Sequence, residues 1–258
     1  MKRYLSVFGL AARSSFWKGL ALIVASAALA GLLLYCTPGA RLYYADENGM
    51  EHSYVNAYSL SKLPGRSKMA APLALGLGGL CAILAKCGGG KGAKPGYTMG
   101  RLQVRKSTAC LLWVLYDFMM LLLYWAVAAL TAFLVMSLRV RNLSGSVFIG
   151  PQSLVLTVYG SSLLHNLLPM GDILAWVGNT LAMLTCAVGC VDVAVKEWRG
   201  KLGGICMGIA VVLAAADFSL SVPNTGGHFI CMVLQIVLLV IVLNSWKGGD
   251  ADENVLDA

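Results

Sequence analysis

Long apolar runs separated by short charged stretches set the plan of this chain. Runs of ~18 or more apolar residues suggest membrane-spanning helices. The pattern predicts six spans, over about residues 19–36, 69–85, 109–138, 173–195, 202–220 and 229–243. The third is the longest. Its thirty residues would make ~45 Å of helix against a ~30 Å hydrocarbon core, so it tilts or protrudes.

The polar and mixed stretches complete the layout. In residues 1–18, Lys2, Arg3, Arg13 and Lys18 alternate with Tyr4, Val7, Phe8, Leu10 and Phe16. This reads as an interfacial amphipathic helix leading into an uncleaved first span. Residues 86–108 form a basic, glycine-rich loop, and 244–258 an acidic tail. Residues 153–168 are apolar but carry Tyr159, Gly160, His165 and Asn166. If that stretch does not cross, fourteen of the twenty Lys and Arg fall on one side; if it crosses, they split ten and ten. The positive-inside rule therefore favours an interfacial or re-entrant outer segment. The expected architecture is one all-α transmembrane domain, 1–258, with both ends and the 86–108 loop in the cytoplasm.

Composition agrees with this plan. Hydrophobic residues make up 58% and charged residues 12%, about half the charged fraction of soluble domains. The net charge of +8 sits mostly beside apolar spans, where topology and anionic lipid account for it. Nucleic acid is not an expected partner. The eight cysteines show no disulfide framework. Cys186 and Cys190, four residues apart, share a helix face and read as small buried hydrophobes.

Little enzymatic chemistry is encoded. Gly90-Lys91 is followed by Gly92, so the basic loop lacks the G-x-x-x-x-G-K-[ST] phosphate cradle. His52, His165 and His228 lie in separate segments and give no ligand set. Ser161, Ser162 and His165 lack an orienting acid at motif spacing. No catalytic residue, cofactor or metal is expected.

The informative polar residues lie within the spans. An acid in hydrocarbon faces the bundle or water. Asp117 is therefore either a proton or cation site, or lies below the hydrocarbon on an overlong helix. Asn179 and Gln235 are mid-span groups suited to bonds between helices, or to a substrate. Asp217 is expected to face water or a loop. Asp192 and Lys196 form an i, i+4 pair. Gly76, Gly78 and Gly79 allow close helix contact, and Gly204 with Gly208 has GxxxG spacing.

The stretch GYTMGRLQVRKSTACLLWVLYDF (96–118), with the amphipathic start and the six-span plan, resembles permease subunits of ABC transporters of the type-2 exporter class. The resemblance covers nearly the whole chain as topology. It implies a bacterial cell-membrane exporter subunit, paired with a second permease copy and driven by a separate cytoplasmic ATPase. Tyr97, Thr98, Arg101, Leu102 and Arg105 would form the docking helix. The alternative is a stand-alone membrane protein, either a secondary transporter using Asp117 or a scaffold.

Overall fold

The structure is a computed structural model that describes residues 2–38, 42–45, 51–54, 60–86, 106–143, 152–198, 203–219 and 225–256. Its elements are α1 (Lys2–Cys36), β1 (Leu42–Ala45), β2 (Glu51–Tyr54), α2 (Leu63–Arg66), α3 (Ala70–Ala85) and α4 (Lys106–Leu143). Then follow α5 (Gln152–Gly160), α6 (Ser162–Leu167), α7 (Ile173–Trp198), α8 (Ile205–Ser219) and α9 (Thr225–Leu256).

Each of the six predicted stretches contains a described helix. Four of the helices hold segments long and apolar enough to cross a membrane: Ala11–Cys36, Ser107–Asn142, Ile173–Glu197 and Gly226–Trp246. The apolar segments of α3 and α8, Ala70–Ala85 and Ile205–Phe218, are shorter. This is the profile of a membrane-embedded helical protein.

Contacts fix the direction of each helix. Ser15 Oγ lies 3.0 Å from the Tyr116 hydroxyl, and the Phe8 ring meets Tyr116 edge-on. At the opposite end of the same pair, the Arg139 guanidinium donates to the carbonyls of Leu34, Tyr35 and Thr37. Thus α1 and α4 run parallel, and a cation from α4 satisfies carbonyls that the end of α1 leaves open. The α3 helix returns between them: a Cβ at Gly76 would sit 2.6 Å from Ser26 Cβ, and one at Gly79 would sit 3.0 Å from a Leu22 methyl. The Cys190 thiol reaches the Cys81 carbonyl at 3.5 Å, and earlier on both helices Leu77 and Met183 line one cavity, so α7 runs with α3. A Cβ at Gly189 would lie 3.1 Å from Met207 Cα, and Gly178 faces Asp217, so α8 runs against α7. Gly178 also faces Met232, and Asp192 meets Trp246, which sets α9 parallel to α7.

The bundle therefore has a near face, where α1, α4 and α8 begin and α3, α7 and α9 end, and a far face where the reverse holds. The short helices α5 and α6 join the far face. Asp172 opens α7, its Oδ1 accepting from the Ala175 amide at 3.1 Å as an N-cap. One buried core runs through α1, α3, α4, α6, α7 and α8.

Four expectations need correction. Residues 2–18 are not a separate interfacial helix: α1 is continuous, and its Ala11 and Ser15 are already buried. No proline interrupts the ladder there, so the first span begins earlier than residue 19. The polar stretch after α1 contains an antiparallel strand pair, Leu42 opposite Tyr54 through Ala45 opposite Glu51. The stretch 244–256, expected as a separate acidic tail, continues α9 as helix. Gly208 meets nothing within 4 Å, so the close α7–α8 approach belongs to Gly189 instead of the GxxxG pair.

Candidate functional site

Asp117 lies on α4 at 1% exposure, and its Oδ1 has no hydrogen-bond partner. Buried polar atoms are nearly always satisfied, so an orphaned carboxylate oxygen calls for an explanation. Its neighbours come from two other helices. The carboxyl is close enough to the thiols of Cys81 on α3 and Cys190 on α7 for electrostatic interaction. The Cys190 thiol in turn donates to the Cys81 carbonyl at 3.5 Å, and the Cys81 thiol lies beside those of Cys186 and Cys190. Each helix supplies its member by simple periodicity. Cys186 and Cys190 are one turn apart on the face of α7 that meets α3, as their spacing predicts. Among the described residues, no three His, Cys, Asp or Glu form a group that could hold a metal ion.

The surface at this depth is apolar. Leu111 and Leu115, on the opposite side of α4 at and below the level of Asp117, are 66% and 48% exposed. The acid is thus enclosed by protein within an apolar belt.

Toward the far face lies a cavity of ≈ 50 Å3, lined by Leu73, Leu77, Tyr124, Trp125, Met183 and Phe218 among others. Leu77 and Met183 stand one turn from Cys81 and Cys186, so the cavity and the Asp117 cluster are consecutive layers of the same bundle. The Tyr124 hydroxyl donates to the Leu73 carbonyl. The Trp125 indole donates to the Leu167 carbonyl at 2.9 Å and packs against Trp176.

Above the cavity, α6 acts as a roof. Its Asn166 side chain donates to the carbonyls of Asp217 and Phe218, at 3.2 and 3.3 Å. Asn179 donates to the Asn166 carbonyl at 2.7 Å. Asp217 does not face water: it is 4% exposed and pairs with His228 Nδ1 at 2.7 Å. His165 is buried beside the Tyr159 ring, with its Nδ1 unpartnered.

The predicted polar residues therefore separate. Asp117 lies in the layer beneath the cavity and Asn179 in the roof network above it. Gln235 is fully buried on α9, but neither its Oε1 nor its Nε2 has a partner, so the expected bond between helices is not made. Tyr97, Thr98, Arg101, Leu102 and Arg105 lie outside the described residues. Sequence reasoning missed the Asp217–His228 pair, although both residues flank one short connection. It also missed Cys81 as the partner of Cys186 and Cys190, which no local spacing announces. Comparison with known protein families, curated proteins and solved structures finds no match to this chain.

Proposed function

We propose that the protein is a membrane transporter whose coupling group is Asp117. The observation that carries this reading is the enclosed carboxyl with an unpartnered oxygen, one layer from a cavity. Acids held inside a membrane bundle mark proton or ion pathways, because an uncompensated charge there is too costly to keep without use. A proton or small cation would occupy Asp117 from one side and leave to the other as the helices shift around the cavity. The excess of Lys and Arg on the near face supports a cytoplasmic near face in a cell membrane. The test is proton flux in proteoliposomes after an acid jump, read with a trapped pH dye. Wild type should acidify the lumen and Asp117→Asn should not. Equal flux from both would refute the assignment.

A second reading, the permease subunit of an ATP-driven exporter, is favoured by one feature. The ends that flank the 86–108 loop lie on the near face, beside the start of α1 and the end of α9. A cytoplasmic ATPase docking on Tyr97, Thr98, Arg101, Leu102 and Arg105 would engage that face, with a second permease copy alongside. Affinity capture in mild detergent tests it: an ATPase should accompany wild type and be lost from the Arg101→Glu, Arg105→Glu double variant. An ATPase retained by that variant removes the docking assignment.

A further inference from the structure

The cavity beside Tyr124 and Trp125 has one open side. Its α4 and α7 walls, including Trp125, Ala128 and Met183, are buried. Ala70, Leu73 and Ala74 on α3, Leu163 on α6, and Ala215 and Phe218 on α8 are partly exposed. The mouth therefore lies between α3 and α8, under α6. The surface flanking it is apolar: Leu75 on α3 is 77% exposed and Val212 on α8 is 66% exposed. An opening in such a belt faces hydrocarbon.

The lining then sets the ligand chemistry. Only two lining side chains carry polar atoms. The Tyr124 hydroxyl is engaged by the Leu73 carbonyl and the Trp125 indole by the Leu167 carbonyl. Neither leaves a donor pointing into the space. Ordered water needs two to four polar partners, so an apolar space of several water volumes favours apolar guests. The carboxyl of Asp117 is a layer away and not part of the lining.

We propose that this cavity binds an uncharged hydrocarbon chain, admitted sideways from the lipid between α3 and α8. A molecule bearing such a chain is the cargo class. The binding follows from the cavity itself; its role as cargo rests on the transport reading above.

The experiment uses full-length protein in nanodiscs and an uncharged alkyl diazirine as photoprobe, with labelled residues mapped by mass spectrometry. Met183 and Trp125 should label saturably, and unlabelled decane should suppress that labelling about tenfold. Decyltrimethylammonium should suppress it far less. Lipid-facing Leu75 should label without saturation. Ala74→Leu and, separately, Ala215→Leu should narrow the mouth and cut Met183 labelling without changing Leu75. Non-saturable labelling of Met183 and Trp125, or stronger competition by the cationic probe, overturns the proposal using wild type alone. Asp117→Asn should label like wild type. Loss of saturable labelling with proton flux intact removes the chain site only. Intact labelling with no flux keeps the site and removes the coupling role of Asp117.

Discussion

Two aspartates in this bundle are equally buried, each at 1% exposure, yet their surroundings are opposite. Asp192, near the end of α7, is fully engaged. Lys196 Nζ donates to its Oδ2 at 2.7 Å, while Trp246 Nε1 and Ser245 Oγ approach its Oδ1 at 3.3 and 3.4 Å. Two of those donors come from α9, so the acid acts as a rivet between helices. Asp117 has thiols for neighbours and an oxygen with no partner. A satisfied buried acid stabilises the fold, and an unsatisfied one costs free energy. Burial alone therefore does not distinguish these two acids; the inventory of donors does.

The comparison can be broken at four points. Asp192→Ala should lower stability by about 3 kcal/mol, because it strands the α9 donors and Lys196 together. Thermal unfolding in detergent reads this, and a loss below about 1 kcal/mol would mean the rivet is only geometric. Gly76→Ala should cost about 2 kcal/mol, since its new methyl meets Ser26 at 2.6 Å and the Tyr124 hydroxyl at 2.9 Å. Full tolerance would mean that the α1–α3–α4 junction yields, and that looseness is enough to explain the orphan oxygen. Asp117→Leu should leave stability within about 1 kcal/mol of wild type or raise it, because an apolar group of similar size replaces an unsatisfied one. A large loss would place Asp117 beside Asp192 as a structural acid. The smallest effect is expected at Lys68, which holds φ at +54° just before α3. Lys68→Gly should gain about 0.5–1 kcal/mol by relieving the left-handed backbone, and no gain would show that this turn is not strained.

Much of this fold was legible because apolar run length is a one-dimensional signal. The long runs around Val114–Met136 and Ile230–Leu243 leave no other reading, and α4, α7 and α9 lie where the runs do. Asp172 and the Asp192–Lys196 pair were also readable, since capping and i, i+4 contacts are local. The strand pair was a missed local signal: Asn48-Gly49 lies between the two strands and is a common hairpin dipeptide. The α9 donors to Asp192, the Arg139 clamp on α1 and the meeting of Cys81 with Cys186 were not readable. They join residues 53 to 105 positions apart, and each depends on which helices become neighbours. The unpartnered Oδ1 of Asp117 is of the same kind, because which donors reach it is a property of the assembled bundle.

The wide spacing of the Asp117 neighbours bears on how the chain is made. At the usual synthesis rate, roughly 4–14 s separate the emergence of Asp117 from that of Cys186. For most of that interval α4 has α1 and α3 to lie against, with α5 and α6 joining only as residues 152–167 are made, and of the three thiols only Cys81 has been synthesised. The acid is therefore made before its enclosure exists, and the α1–α3 hairpin, already closed at Gly76, must receive it first. Ribosome-bound chains stalled just before α7 would hold this half-built bundle, in which Asp117 is still uncovered on the side that α7 later packs.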